Sequence, residues 1–277
     1  MRLVTFVSDD RTGVGVRRGD EIVDTGYGDM LELIADAANG LERARQAEAD
    51  GEPVAAPRLL APIPRPGKIL CSGVNYASHS EENPSAVLPE EPFFFSKLPS
   101  AVIGPGDPIL IPRPETQTDY EVELALVIGQ SATQLEEAEA LDYVFGYSIL
   151  NDVSARDIQF KDNQITLGKG VDTFAPLGPE IVTADEVGDW SSLHVSATLN
   201  GETMQSSPTS EMLFSPPQLL SFLTAFVTLE PGDVVTTGTP AGVGTFRDPP
   251  VYLKPGDTIT VSVDRIGDLT NPVAAVW

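Results

Sequence analysis

Residues 119–128 read Asp-Tyr-Glu-Val-Glu-Leu-Ala-Leu-Val-Ile, a short acidic stretch that leads directly into an unbroken apolar run. Alternate side chains of a β-strand point to the same face, so this spacing places Glu121 and Glu123 together. The apolar run after them predicts a strand that is buried on both faces. Two carboxylates beside such a core repel each other, and each costs several kcal/mol of desolvation unless it is compensated. The segment therefore predicts a central strand with a charged end.

A divalent cation is one compensation for this charge, and arginine side chains are another, although Arg156 alone could not neutralise both carboxylates. The alternative is an edge strand whose acidic face is solvated, in which case the two carboxylates form no functional site. Asp152 adds a third carboxylate, because it ends the apolar strand VFGYSIL. Oxygen ligands without histidine or cysteine suit Mg²⁺ or Mn²⁺ rather than zinc. Three such ligands leave about three positions of an octahedral ion for water and substrate, as catalysis requires.

Composition excludes several classes of protein. The 277 residues include 41 acidic and 17 basic side chains, and the resulting net charge of −24 repels phosphate backbones, so we expect no nucleic-acid partner. The favoured explanation of the acidity itself is a soluble, salt-adapted surface. No apolar run approaches the ~18 residues of a membrane span, and acidic residues near the start replace the apolar region of a signal peptide, which predicts a cytoplasmic protein without a membrane partner. Cys71 is the single cysteine, so an intrachain disulfide and a Cys-rich zinc site are excluded.

Short segments with the composition of strands dominate the chain and predict an α+β fold that is mainly β. Beyond the first 25 residues these segments are 68–73, 107–111, 121–129, 144–152, 194–200, 233–238 and 257–263. Pro-Gly-Asp precedes three of them, and Pro followed by Gly is the central pair of a type II turn. The proline-rich run 51–66 predicts a boundary between a small N-terminal domain, 1–62, and a larger domain, 63–277.

Three segments carry helix patterns. Residues 29–49 are predicted to be helical with an interruption at Asn39–Gly40. Thr133 and Glu136 form a capping-box pattern that predicts a helix over LEEAEALDYV. Ser215 followed by Pro216 predicts a further helix start, with an N-cap residue and then proline at the first position.

His79 and Glu82 lie three residues apart, so one helical turn would place them side by side. A carboxylate that orients an imidazole makes it a better general base, although a surface pair has the same spacing. Pro84 and the prolines after it suit a mobile lid. Lys97 and Lys169 lie in apolar or glycine-rich sequence, where they could bind a carboxylate or stabilise an enolate. The loop 236–244 is typical of an anion-binding loop and also of a plain glycine-rich turn.

Seven segments together resemble the fumarylacetoacetate hydrolase (FAH) family. In chain order they are NYASHSEE, PFFFSKLPSAVIGPGDPI, DYEVELALVIG, GYSILNDVSARDIQ, GKGVDTFAPLGP, NGETMQ and LEPGDVVTTGTPAGVG, over about residues 65–270. The resemblance implies a mixed β-roll catalytic domain that follows a small N-terminal α/β domain, and a homodimer.

The resemblance also implies roles for individual residues. It implies Mg²⁺ or Mn²⁺ held by Glu121, Glu123 and Asp152, and catalysis by His79, Glu82 and Lys169. Its substrate-contacting positions match Arg156, Gln159 and Thr239. Lys97 joins them as a further candidate, because positive groups must attract an anionic substrate to a protein of charge −24.

The implied activity is metal-dependent hydrolysis of a C–C bond in 2,4-dioxo acids, such as acylpyruvates or fumarylpyruvate-like compounds, through a metal-bound enolate. The partner would be a small anionic 2-oxo acid. Hydrolysis is favoured because His79 and Glu82 are both present to activate water. Oxaloacetate decarboxylation or tautomerisation, 2-hydroxyhepta-2,4-diene-1,7-dioate isomerisation and sugar-acid dehydration remain alternatives on the same site. A non-catalytic metal-binding protein is the alternative from a different class.

Overall fold

The computed structural model describes residues 1–82, 88–161 and 164–276, and it confirms the α+β, mainly β fold class. The strands are β1 (Arg2–Ser8), β2 (Arg11–Arg18), β3 (Glu21–Asp24), β4 (Arg58–Leu59), β5 (Ile69–Gly73), β6 (Phe93–Lys97), β7 (Val102–Ile103), β8 (Ile109–Ile111), β9 (Thr118–Asp119), β10 (Val122–Ile128), β11 (Val144–Asn151), β12 (Ser154–Ala155), β13 (Ala175–Thr183), β14 (His194–Leu199), β15 (Glu202–Pro208), β16 (Val234–Thr236), β17 (Thr258–Val263) and β18 (Gly267–Ala275). The helices are α1 (Met30–Ala35), α2 (Ala37–Asp50), α3 (Ala77–Glu82), α4 (Arg156–Gln159), α5 (Thr166–Lys169), α6 (Ala184–Val187) and α7 (Pro216–Thr224).

Two large mixed sheets form the body of the molecule. The first has the order β3-β2-β1-β13-β11-β10-β16-β5-β6, with β4 beside β1 and β7 beside β13. The second has the order β15-β14-β17-β18-β8, and β9 pairs with β12 in a separate short ladder. Parallel pairs such as β16 with β5 occur next to antiparallel pairs such as β10 with β11. The largest apolar cluster includes residues of both sheets, such as Leu124 and Val261.

Strand β10 lies inside the first sheet between β11 and β16, and each of its seven residues is buried. The predicted strand with two buried faces is therefore confirmed, and the alternative of a solvated acidic edge strand is wrong. Because Glu123 is on this strand and Glu121 directly precedes it, both carboxylates lie at the edge of the dry core.

The N-terminal strands extend the first sheet. Leu3 of β1 pairs with Ile181 of β13, and both residues belong to an apolar cluster that also includes Val14 and Val127. The boundary proposed near residue 62 stays a prediction.

The predicted helix interruption at Asn39–Gly40 is wrong, because the break lies three residues earlier. Helix α1 ends before Asp36, and Ala37 has a φ of +50°. Gly40 is buried within α2, and a Cβ atom there would lie 2.2 Å from the carbonyl oxygen of Leu33. The glycine therefore permits close packing of α2 on α1 rather than a break.

The helix predicted over LEEAEALDYV is also wrong. Gln134 has a φ of +51°, and the N–H groups of Gln134 and Leu135 donate to the carbonyl and the hydroxyl of Thr224, at the end of α7. These contacts leave only a short 3₁₀ helix, Ala140–Tyr143. The other predicted start is confirmed, because Ser215 caps α7 in a capping box with Gln218.

A membrane-spanning helix requires a long apolar stretch. Within the described residues, no helix reaches the length and hydropathy that crossing a bilayer needs.

Candidate active site

Three carboxylates converge where β10 begins and β11 ends. Val122 pairs with Asn151 in the antiparallel ladder, so the residues just outside that pair lie close together. The backbone N–H of Asp152 donates to the carbonyl oxygen of Glu121 at 2.8 Å. Ligand atoms of Glu121, Glu123 and Asp152 lie within 4.8 Å of one another, and all three residues are buried. The predicted metal triad is thus brought together, and we refer to it below as the triad.

Buried cations surround two members of the triad. Lys169 Nζ lies 2.8 Å from Glu121 Oε2 and 2.6 Å from Asp152 Oδ2. Lys97 Nζ donates to Asp152 Oδ1 at 2.5 Å, and Arg156 Nη2 donates to Glu121 Oε1 at 2.5 Å. Each of these two carboxylates therefore has two cationic partners.

Glu123 differs from the other two, because no cation of the described residues pairs with it. Its Oε2 accepts a hydrogen bond from the backbone N–H of Gly238 at 3.0 Å. Burial, and then the charges of the two other carboxylates, raise the pKa of Glu123 well above its usual value. Burial would also raise the pKa of Glu121, but the charges of Lys169 and Arg156 outweigh this effect and lower it.

The donor set fits a hard divalent cation. It consists of carboxylate oxygens alone, which Mg²⁺ and Mn²⁺ prefer, and Glu123 lacks a positive partner in the described chain. A cation that contacts Glu123, Glu121 and Asp152 would supply that charge in a setting where an unpaired carboxylate is costly.

Helix α3 brings His79 and Glu82 together at the mouth of the site. His79 Nδ1 lies 3.4 Å from Glu82 Oε2, and the other oxygen of Glu82 accepts a hydrogen bond from the N–H of Gly242 at 2.7 Å. The His79 side chain is 14 % exposed and that of Glu82 is 21 %, so this dyad is largely enclosed rather than a surface pair. Pro84 of the predicted lid lies outside the described residues.

One cavity, with a volume of about 100 Å³, is bordered by His79 of the dyad and by Glu121 and Glu123 of the triad. Its polar walls include His79, Glu121, Glu123, Arg156, Gln159, Lys169 and Thr239. Phe93, Phe95 and Ile165 form an apolar wall, and Lys169 Nζ lies 4.9 Å from the centre of the Phe95 ring. Acid–base groups, cations and a candidate metal site therefore face one small space.

Of the predicted substrate-contacting residues, Gln159 and Thr239 line the cavity, whereas Lys97 does not. Gln159 Oε1 accepts from Arg156 Nη1 at 3.0 Å, and Thr239 Oγ1 accepts from Gln205 Nε2 at 2.8 Å, while both residues line the cavity. Lys97 is buried and also donates to the carbonyl oxygen of Val153, so it lies behind Asp152 and outside the cavity wall.

Three buried polar residues that organise the site were missed at the sequence level. Asp119 accepts hydrogen bonds from Arg156 and from backbone N–H groups, and Gln205 holds Thr239. Asn75 donates to the carbonyl oxygen of Thr237 at 2.9 Å and so fixes the loop 236–244 beside α3. Their polar side chains inside the motifs DYEVELALVIG, NGETMQ and NYASHSEE were the available signal.

The loop 236–244 directs its backbone donors at protein carboxylates. Gly238 N–H binds Glu123 and Gly242 N–H binds Glu82, so the loop links the triad to the dyad. His194 lies on β14, outside the cavity wall, with its Nε2 3.1 Å from Ser206 Oγ.

Comparison with known proteins identifies relatives of nearly full length. The family model "Fumarylacetoacetate (FAA) hydrolase C-terminal" matches residues 68–274. The Xenopus laevis protein "Oxaloacetate tautomerase fahd2, mitochondrial" is 42 % identical over 288 residues, which cover 99 % of this chain and 90 % of that protein.

Two solved structures have the same fold over almost their whole length. The fumarylacetoacetate hydrolase of Exiguobacterium antarcticum has a TM-score of 0.86 and 40 % identity, with 99 % of each chain covered. The maleylpyruvate hydrolase of Sphingobium sp. SYK-6, in complex with manganese(II) and pyruvate, has a TM-score of 0.85 and 32 % identity, with 100 % of each chain covered.

Proposed function

Because the chain belongs to the fumarylacetoacetate hydrolase family, we propose that it is an enzyme that interconverts the enol and keto forms of a small 2-oxo acid, with oxaloacetate as the first candidate. One observation carries the proposal: His79 of the dyad borders the same cavity as Glu121 and Glu123 of the triad. A base beside a site that stabilises negative oxygen is what proton transfer next to a carbonyl requires.

The charges of the site suit an anionic substrate. Lys169 has three N–H donors and uses two of them on carboxylates, so the third is available to a ligand in the cavity. Arg156 also lines the cavity. The triad and Asp119 contribute four negative charges, and Lys97, Arg156 and Lys169 contribute three positive charges. A bound divalent cation would therefore make the net charge of this group positive. This local charge would oppose the negative field of a chain with net charge −24.

His79 is the proposed proton carrier, and Glu82 orients its ring through Nδ1. From enol to keto form, the 2-hydroxyl gives its proton to water, the C2–O bond becomes a carbonyl, and C3 receives a proton from His79. Water then returns a proton to His79, so the cycle has no net change in protons. Lys169 donates to the oxygen on which negative charge develops. When bound by Glu121, Glu123 and Asp152, Mg²⁺ or Mn²⁺ would supply Lewis-acid stabilisation of that charge.

Hydrolysis of a C–C bond in 2,4-dioxo acids is the second candidate, and the dyad geometry favours it. Glu82 is held through both oxygens, one by His79 and one by Gly242 N–H, which is the arrangement that a water-activating imidazole needs. The similarity to maleylpyruvate hydrolase, whose structure holds manganese(II) and pyruvate, supports the same candidate.

Parallel assays separate the two candidates. Purified protein with Mg²⁺ or Mn²⁺ is given enol-oxaloacetate, whose ultraviolet absorbance falls on conversion to the keto form, and acetylpyruvate, whose hydrolysis releases pyruvate and acetate. The proposal predicts metal-dependent loss of enol absorbance that EDTA abolishes and that His79→Asn slows by about 10²–10⁴-fold. Pyruvate release alone would replace tautomerisation by hydrolysis, and activity on neither substrate would refute both.

The homodimer and the cytoplasmic location remain predictions. Light scattering on purified protein tests the first, and a mass of one chain would contradict it. Cell fractionation in the source organism tests the second, with material only in an organelle or membrane fraction as the contradicting result.

A further inference from the structure

Asp119 is a buried carboxylate beside the site that belongs to neither the triad nor the dyad. It is 0 % exposed, and β9 pairs it with Ser154, two residues before Arg156. One oxygen accepts from the N–H groups of Tyr120 at 2.9 Å and Gly244 at 2.7 Å. The other oxygen accepts from Thr245 N–H and from a guanidinium N–H.

The guanidinium contact connects Asp119 to the triad. Arg156 Nε donates to Asp119 Oδ2 at 2.9 Å, while Nη2 of the same planar group donates to Glu121 Oε1. The rigid geometry of a guanidinium means that fixing Nε also fixes the direction of Nη2. Asp119 therefore orients the cation that holds Glu121.

The backbone contacts connect Asp119 to the dyad. The N–H groups that it binds open the 3₁₀ turn Gly244–Phe246. The Phe246 ring lies 6.0 Å from the His79 ring, centre to centre, at 52°. A Cβ atom on Gly244 would lie 2.7 Å from Asp119 Oδ1, so this close approach requires glycine.

We infer that Asp119 is a positioning residue that holds the His79–Glu82 dyad and the triad in a fixed relation across the cavity. It contacts no cavity space itself, and it acts through Arg156 on one side and through Phe246 on the other. An aspartate is needed because both oxygens accept hydrogen bonds, whereas the amide nitrogen of asparagine would face a donor. The part of this inference that concerns the dyad rests on the proposed function.

The test substitution is Asp119→Asn, which keeps the shape of the side chain. Asp157→Asn is the matched control, because Asp157 is the neighbour of Arg156 and accepts one exposed backbone N–H, from Gln117. We expect Asp119→Asn to weaken Mn²⁺ binding in calorimetry by about 10-fold, as loss of support behind a metal ligand does, and the control to change it less than about 2-fold.

Catalysis provides the second readout through a double-mutant cycle with His79→Asn. At saturating Mn²⁺, which removes the effect of weaker metal binding, we expect Asp119→Asn to lower kcat on the active 2-oxo acid by about 10-fold or more with a smaller change in KM. In the His79→Asn background the same substitution should lower the residual kcat less than about 2-fold, because the dyad is already lost. Equal fold-changes in the two backgrounds would overturn the inferred action of Asp119 on the dyad.

Phe246→Leu keeps the test decisive if Asp119→Asn does not fold, since the Phe246 side chain is only partly buried. It should lower kcat while leaving Mn²⁺ affinity unchanged, and an unchanged kcat would overturn the inference on the dyad side. Normal Mn²⁺ affinity in folded Asp119→Asn would overturn it on the triad side. That affinity is measured without substrate, so it tests the inference even if every 2-oxo acid assay of the wild-type protein is negative.

Discussion

Lys97→Met removes a buried cation from the site without placing any new atom in the cavity. The Lys97 side chain is fully buried, and its Nζ donates to Asp152 Oδ1 and to the carbonyl oxygen of Val153. Methionine has a similar length and fills the space left by the lysine stem. The substitution therefore isolates the loss of charge and of two hydrogen bonds.

The expected loss of unfolding free energy follows from removing one partner of a buried ion pair while the other partner stays buried. Such a change costs about 3–5 kcal/mol, because the remaining carboxylate stays buried with less compensation. At roughly 2 °C per kcal/mol for a chain of this size, Tm should fall by about 6–10 °C. A divalent cation on Asp152 would replace part of the lost charge and would no longer be repelled by the ammonium group. The loss of unfolding free energy caused by Lys97→Met should therefore be about 1 kcal/mol smaller in excess Mn²⁺ than in EDTA. This difference is equivalent to several-fold tighter Mn²⁺ binding by the variant.

Urea denaturation of wild type and Lys97→Met, in EDTA and in excess Mn²⁺, measures the four free energies of unfolding. Lys254→Met is the matched control, because Lys254 is exposed and lies outside the cavity wall. The control should lose less than about 1 kcal/mol of unfolding free energy, and this loss should be the same with and without Mn²⁺. The reasoning is refuted if Lys97→Met costs no more than the control, or if its deficit is the same with and without Mn²⁺.

The remaining predictions concern other parts of the site. Glu123→Gln should weaken Mg²⁺ and Mn²⁺ binding in calorimetry by more than about 100-fold while the fold is kept, and normal affinity would contradict the ligand assignment. His79→Asn should lower kcat by about 10²–10⁴-fold in the enol-oxaloacetate assay with unchanged metal affinity, whereas a wild-type rate would exclude it as the proton carrier. Gly242→Ala should lower kcat and Tm more than Gly201→Ala does: both glycines have positive φ, but only at Gly242 would a Cβ atom clash, at 2.0 Å from the carbonyl oxygen of Met204. Finally, kcat/KM for an anionic substrate should rise with moderate salt at constant metal occupancy, because salt screens the field of a chain with net charge −24; a marked fall would contradict this picture.

Local patterns predicted the central part of the fold well. The alternation of Glu121 and Glu123 before an apolar run predicted both the buried strand and the shared direction of the two carboxylates. The predicted type II turns are supported by the positive φ of the glycines at Pro105–Gly106, Pro231–Gly232 and Pro255–Gly256. These features depend on neighbours in the sequence, so the sequence specifies them directly.

Features that depend on distant contacts were not predictable in the same way. Thr133 and Glu136 have the spacing of a capping box, but Thr224, about ninety residues later, binds the intervening backbone and prevents the helix. Gly40 has the appearance of a helix breaker, yet the proximity of Leu33 gives it a packing role. In both cases a tertiary contact outweighs a weak local preference.

The same division holds for the site. The triad and the dyad were predicted by residue type and spacing, and the fold brings His79, Glu121 and Glu123 to one cavity. The place of Lys97 behind Asp152, and three of the four hydrogen bonds that Asp119 accepts, depend on segments far apart in the chain. Spacing alone gives no information about such partners.

The central claim is that this cavity exchanges a proton on the carbon next to the carbonyl of a 2-oxo acid. The most direct measurement is proton NMR of oxaloacetate in D₂O with Mg²⁺, comparing deuterium incorporation at C3 for no protein, wild type and Glu123→Gln. We expect wild type to exceed the uncatalysed rate and Glu123→Gln to match it. Wild-type protein that binds Mg²⁺ but leaves the exchange rate unchanged would contradict the account.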